Sequence, residues 1–336
     1  MNKSIKKVYE DNRHLWRLVI IMVLWMVFMA LTKPKKFYTF NNFQTIASLF
    51  PEFGLMSLGC MLCMMTGGID LSVVGVANMT SILAANWMIK LAGESGVLSP
   101  GYYPLIFLLA FVVGGLAGMF NGFLISKIRI PPILATLGVN ELLSGICIAM
   151  TGGTAVSSFP KEFTTAVSTN IGGIVPIRLL IFILAAILVW FMLEKTTYGT
   201  KLRLLGTSEK VAKYSGLNTD GLLIRTYTTS GILSALGGLM MLATYASARA
   251  DYGSQYTLQS VLIVVLGGVS PNGGKGKISG VILAIILLKM LESGINRFQN
   301  VSSYYISLIW GGVLILAMVL DYFSNQGSLR RIRSAS

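Results

Sequence analysis

The chain has 336 residues, of which 54% are hydrophobic and only 12% charged, and its formal net charge is +14. Its mean hydropathy of +0.71 excludes an ordinary soluble globular domain, in which about a quarter of the residues are charged. The positive charge does not indicate nucleic acid, because it sits in short segments between apolar runs, where membrane-orientation signals belong.

The N-terminal segment 1–14 is polar and carries no evident signal peptide. Ten apolar runs follow, at 15–32, 43–66, 69–89, 104–126, 132–150, 177–193, 222–246, 258–270, 278–293 and 303–322. About 20 apolar residues cross a bilayer core. The reading is therefore an all-α, polytopic integral membrane protein of about ten transmembrane helices, some of them discontinuous. A single transmembrane domain, 15–322, lies between tails at 1–14 and 323–336. Lys and Arg number eighteen on one set of loops, which includes both tails, and eight on the other. That bias predicts cytoplasmic termini and a cytoplasmic 194–221 loop.

Cys60 and Cys63 form a C-x-x-C inside the apolar run GLMSLGCMLCMM, where helix packing is the expected role. The first polar break comes in TGGIDLSVVGVANM at 66–79. Gly67 and Gly68 interrupt the run, and Asp70 follows with Ser72 beside it. A carboxylate at membrane depth is costly and marks a functional hypothesis. The chain is expected to unwind at the two glycines, as in discontinuous transporter helices. Asp70 would then cap the following half-helix through its backbone N–H groups, or contact a solute or gate. A proton relay lacks a titratable neighbour.

Gly114, Gly118 and Gly122 recur at spacing four, a face that lets helices approach closely within the chain. Asn140 and Glu141 fall inside the next span. They can line a pathway or hydrogen-bond within the bundle. The long polar stretch EKTTYGTKLRLLGTSEKVAKYSGLNTDG at 194–221 contains a short helix with clear ends. Ser208 suits its N-cap, Glu209 its positive N-terminus and Gly216 a left-handed stop. Under two turns of helix is unstable alone in water and needs a partner groove.

The loop GGVSPNGGKGK at 267–277 fails the phosphate-loop spacing, since Gly276 follows Lys275 where a hydroxyl is required. It reads as a tight turn, so any ATP that drives this protein would be bound by another chain. Lys289 and Glu292 are spaced as an i,i+3 pair. The single histidine, His14, lies in the tail. No catalytic constellation or metal-ligand spacing emerges.

Four ordered segments resemble the permease subunit of bacterial ATP-binding-cassette (ABC) importers of the ribose and simple-sugar type, a superfamily that also includes nucleoside and branched-chain amino acid permeases. They are GGIDLS at 67–72, NGFLISKIRIPPILATLG at 121–138, GTSEKVAKYSG at 206–216, and YTLQSVLIVVLGGVSPNGGKGKISG at 256–280 with VSSYY at 301–305. The resemblance implies a non-catalytic subunit of the bacterial inner membrane that passes a small polar solute, most simply a sugar. It implies an extracytoplasmic solute-binding protein, a second permease chain, identical or paralogous, and cytoplasmic ATPase subunits that hold ATP and Mg. This chain would carry no cofactor or metal of its own. The family's coupling segment maps onto Gly206, Glu209, Ala212, Ser215 and Gly216, and Ser208, Val211 and Tyr214 complete the ATPase-coupling set. Gly67, Gly68, Asp70, Ser72, Asn140 and Glu141 are the candidates for the pathway or its discontinuous helix. Residues 140–142 and 144, and Thr154, depart from the sugar-type pattern and leave a nucleoside, an autoinducer or an amino acid as alternative solutes. The rivals from other classes are an ion-coupled secondary transporter using Asp70 and Glu141, and an intramembrane enzyme using the same acids.

Overall fold

The structure, a computed structural model, describes residues 13–298 together with 308, 311, 312 and 315. The expected tenth span, the VSSYY segment and the C-terminal tail lie almost wholly outside the described residues, as does the N-terminal tail up to residue 12. The long helices are α1 (Arg13–Thr32), α3 (Phe40–Met65), α4 (Val73–Ala92), α5 (Tyr103–Ser126), α6 (Pro132–Thr151), α8 (Ile177–Glu194), α11 (Thr219–Tyr245) and α13 (Ile278–Ile295). Shorter helices are α2 (Pro34–Phe37), α7 (Glu162–Ser168), α9 (Thr197–Thr207), α10 (Glu209–Tyr214) and α12 (Tyr256–Leu266). One small antiparallel hairpin, β1 (Asn170–Ile171) with β2 (Val175–Pro176), sits in the α6–α8 connection. Neither this hairpin nor α7 was expected from the chain, although the Gly172–Gly173 pair in the hairpin's loop, both at positive φ, is a hairpin-turn signal.

Six of the described helices are long and apolar enough to cross a membrane: α1, α3, α5, α6, α8 and α13. They fall into layers. Within its apolar window α3 is 83% buried, whereas α5 and α6 are each 22% buried. The centre is therefore α3 with α4 and α11, and the outer helices present Leu24, Leu31, Leu134 and Leu184 outward. Such apolar faces are what a hydrocarbon surround accepts. The central helices can be less hydrophobic because neighbours cover them. Along α11, Thr226, Ser230 and Ser234 are fully buried and return their hydroxyl protons to carbonyls one turn back or to Asp70.

The glycine face of α5 packs inside the chain, against α11. A Cβ at Gly114 would lie 2.4 Å from the Gly231 carbonyl oxygen, and one at Gly118 2.2 Å from that of Tyr227. At Gly122 it would meet the Ile224 Cα at 2.6 Å. Only glycine allows the two backbones to sit this close.

The run 258–270, one of the ten candidate spans, forms a helix too short to cross a bilayer by itself. The helix α12 has 11 residues, about 16 Å at 1.5 Å per residue, or half of a roughly 30 Å core. The irregular segment 246–255 precedes it in the chain. It starts at Ala246, whose φ is +48°, and is tied to the α6–α7 connection by a bridge between Ala248 and Val156. Irregular backbone within a membrane bundle is tolerated where protein or a water-filled cavity covers it.

Candidate functional site

The break after α3 falls at the two glycines. The helix ends at Met65, Gly67 has φ +86°, and α4 begins at Val73. Gly68 is buried, and a Cβ there would stand 2.3 Å from the Tyr227 hydroxyl oxygen. Asp70 is 1% exposed. Its Oδ1 accepts from the Ser72 backbone N–H at 2.9 Å and from the Ser72 hydroxyl at 2.6 Å, and its Oδ2 accepts from the Ser230 hydroxyl at 2.6 Å. Asn121 on α5 donates to the Ser72 oxygen at 2.8 Å. Asp70 thus ties the break to α5 and α11 in a buried polar knot.

The helix-capping role expected of Asp70 is divided differently. Asp70 takes the N–H of the residue before the helix, and the first turn of α4 is capped from another helix. Asn140 Oδ1 on α6 accepts from the Gly75 N–H at 3.0 Å, and Thr136, one turn earlier, accepts from the Leu71 N–H at 3.1 Å. Orphan amides at a helix start need such partners. Spacing along α6 puts Thr136 and Asn140 on one face, and the unwound segment lies against it. Asn140 therefore belongs to the interior hydrogen-bond network, with its amide nitrogen 3.3 Å from Glu141 Oε1. Glu141 itself is exposed and makes no ion pair among the described residues. Both residues line a cleft of about 490 Å³ between α4, α6 and the 249–257 segment.

A buried acid that the span pattern passed over is Glu52, the thirteenth residue of the 26 in α3 and next to Pro51. It is 3% exposed and accepts from the Tyr256 hydroxyl at 2.6 Å. The signal was available, since an acid in an apolar span marks a site by the same rule as Asp70. Arg178, also buried, donates to Thr244 at 2.7 Å and to Ser168. Lys289 and Glu292 form the expected i,i+3 pair at 3.0 Å. Cys60 and Cys63 are buried free thiols within α3. No group of His, Cys, Asp or Glu suited to a metal ion occurs among the described residues.

The second locus is the end of the bundle that carries α9 and α10. The helix α10 has six residues; Ser208 accepts from the Val211 N–H at 3.3 Å, and Gly216 follows with φ +76°. Ala212 is fully buried, whereas Val211 is 51% and Tyr214 92% exposed. Ala212 is therefore the helix's anchor to the bundle, and Val211 and Tyr214 with Ser215 face outward. Gly206 is a packing position. A Cβ there would lie 2.0 Å from the Met65 carbonyl oxygen and 2.4 Å from the Gly274 nitrogen. The 267–277 turn is thereby locked beneath α9, with the Gly274 N–H donating to Met65 O at 3.0 Å.

Ion pairs fasten α10 sideways. Glu209 meets Arg129 and Lys213, each at 2.7 Å. Asp220, in the first turn of α11, meets Lys127 at 3.0 Å and Arg129 at 2.9 Å. The hydrogen bond from Lys213 holds the Glu209 carboxyl below its ordinary range, with Arg129 adding to it. Lys127 does the same for Asp220, again with help from Arg129. The sequence showed the short helix and its caps but not this clamp, because Arg129 and Glu209 are 80 residues apart.

A polytopic helical bundle with a broken central crossing, a polar cleft beside it and a capped helix fastened at one end is the architecture of a solute permease. The chain belongs to the family described as "Branched-chain amino acid transport system / permease component", whose profile matches residues 42–319. It is 32% identical to the ribose import permease protein RbsC of Bacillus subtilis, over 80% of each chain. It is 30% identical to RbsC of Escherichia coli K12, over 90% of this chain and 92% of that one. The autoinducer 2 import system permease protein LsrD of Escherichia coli O9:H4 is 28% identical over 91% of this chain and 92% of its own. No solved structure matches significantly.

Proposed function

We propose that this chain is the membrane-embedded, non-catalytic subunit of an ABC importer for a simple sugar in the bacterial inner membrane, with both termini in the cytoplasm. The observation that carries the reading is α10. It is a six-residue helix, capped by Ser208 and clamped by Arg129, that displays Val211 and Tyr214 to the outside. So short a helix with exposed apolar side chains is a docking knob. The positive-inside bias supports a cytoplasmic position for it.

In this reading two permease chains pair. A loaded extracytoplasmic binding protein docks on the opposite face, and ATPase subunits that bind ATP and Mg push on residues 206–216. Gly206 and Ala212 transmit that push to the break at Gly67–Gly68 and to the 267–277 turn. The knot of Asp70 and Ser72 holds the discontinuous helix, while Asn140 and Glu141 stand at the pathway. The solute class follows the relatives, two of which are named for ribose import.

The test is co-purification from detergent with the cognate ATPase. Val211→Asp with Tyr214→Asp should release the ATPase while leaving a monodisperse permease. Retention of the ATPase at the wild-type ratio would refute the assignment of α10.

A further inference from the structure

The cleft lined by Asn140 and Glu141 has a second wall. Asn78, on α4, is 1% exposed, and its amide nitrogen donates to the carbonyls of Ala250 and Tyr252 at 2.8 and 3.0 Å. Those bonds draw the irregular segment 246–255 into the bundle. The helix α12 then starts at Tyr256, whose hydroxyl reaches Glu52 near the middle of α3. The amide oxygen of Asn78 has no hydrogen-bond partner among the described residues. A buried polar atom left unpaired is costly, about 1–3 kcal/mol, and persists where something else completes it.

The cleft volume of about 490 Å³ falls in the range of about 300–1,000 Å³ usual for small-molecule sites. Its chemistry selects among solutes. Arg249 is already paired with Asp251 at 2.9 Å, so the cleft offers a carboxylate solute no free cation among the described residues that line it. Glu141 adds an unpaired negative charge there and repels such a solute. No aromatic side chain lines it, so a nucleobase finds no stacking surface. What remains is the hydroxyls of Ser144, Ser254 and Thr257, which donate and accept, with the Glu141 carboxylate beside them as an acceptor. Such a set matches an uncharged polyhydroxylated ring, whose hydroxyls both donate and accept.

We infer that this cleft, between Asn78 on α4, Glu141 and Ser144 on α6, and Thr257 on α12, is a transient binding site for an uncharged polyol within the permease itself. The inference rests on the importer reading and adds that the permease, as well as the binding protein, reads the solute. A merely polar passage would be indifferent to individual hydroxyls. A binding site loses the hydroxyl bonded by each side chain removed.

The experiment uses the complete importer, with binding protein and ATPase, in proteoliposomes. Uptake of radiolabelled D-ribose, D-xylose, D-galactose and D-glucose identifies the sugar carried best. Glu141→Ala and Ser144→Ala are then compared with wild type. Neither side chain holds the fold together. Ser144 makes no hydrogen bond among the described residues, and Glu141 only accepts a long one from its neighbour Asn140. The expected result is an uptake rate lowered about tenfold by each, the equivalent of about 1.4 kcal/mol, with Tm and ATPase co-purification unchanged. Glu141→Gln, which keeps the hydrogen-bonding oxygen, should restore most of the rate. Wild-type rates in both alanine variants would overturn the cleft site and leave the importer reading standing. A wild-type complex that carries none of the four sugars but carries radiolabelled leucine would overturn both the sugar reading and the polyol site.

Discussion

Arg129 Nη1 lies 2.7 Å from Glu209 Oε1, joining the α5–α6 loop to the first residue of α10. The same guanidinium reaches Asp220 at 2.9 Å. Arg129 has φ +67°, a conformation that costs a non-glycine residue about 1–2 kcal/mol. A strained residue is thus held where the loop, α10 and α11 meet. Exposed ion pairs contribute only about 0–1 kcal/mol each, so the clamp's effect is on position more than on stability. Arg129→Ala should leave Tm within a few degrees while lowering solute-stimulated ATP hydrolysis of the assembled importer several-fold. Arg129→Gly should be uncoupled equally but more stable than Arg129→Ala by about 1 kcal/mol, because glycine accepts a positive φ. Unchanged hydrolysis in both variants would show that the clamp transmits nothing.

The clamp is acid-sensitive in a definite direction. Both carboxyls titrate below their ordinary values, Glu209 chiefly through Lys213 and Asp220 chiefly through Lys127. A depressed carboxylate contributes stability above its unfolded value, near about 4, and loses it as pH falls through the lowered folded value. Hydrogen exchange of residues 208–216 should therefore be flat from about pH 8 to 5, after correction for intrinsic rates, and protection should fall only in stronger acid. Loss of protection between about pH 8 and 6 would point to a different titrating group.

The α5–α11 contact is sensitive to single methyl groups. At Gly118 an added Cβ would stand 2.2 Å from a carbonyl oxygen that belongs to a helix backbone and cannot swing away. Gly118→Ala should lower stability by about 1–3 kcal/mol or more, read as a fall in Tm in detergent. Gly138→Ala, on α6 with nothing within 4 Å of the added atom, should be neutral or raise Tm slightly through helix propensity.

The break before α4 depends on side chains from elsewhere. Asn140→Leu leaves the Gly75 N–H without its 3.0 Å acceptor and should cost about 1–3 kcal/mol. Asp70→Asn keeps one accepting oxygen for the Ser72 and Ser230 bonds. It should fold with a similar loss and still transport, whereas Asp70→Leu should not yield folded protein. Abolished uptake in a well-folded Asp70→Asn would assign the charge itself to transport.

Local features were readable from the chain alone. The break at Gly67–Gly68, the close-packing face of Gly114, Gly118 and Gly122, and the ends of α10 at Ser208 and Gly216 each rest on residues within a few positions of one another. What stayed hidden depends on distant partners. Asn140 capping α4, Asn78 holding 250–252 and Arg129 gripping Glu209 join residues 65, 172 and 80 positions apart. Hydropathy also counted 258–270 among the candidate spans, because apolar composition does not record that α12 starts at Tyr256, whose hydroxyl reaches Glu52 near the middle of α3. The ends of α10 were legible, but the burial of Ala212 within it was not, since a helix of under two turns shows no clear periodic face.

The most direct measurement is solute accumulation in proteoliposomes, with the ATPase and binding protein present or withheld and with ATP or a proton gradient as the energy source. Accumulation of the sugar only when ATP, ATPase and binding protein are all supplied is the expected result. Accumulation by this chain alone, driven by a proton gradient, would contradict the assignment and make it a secondary transporter.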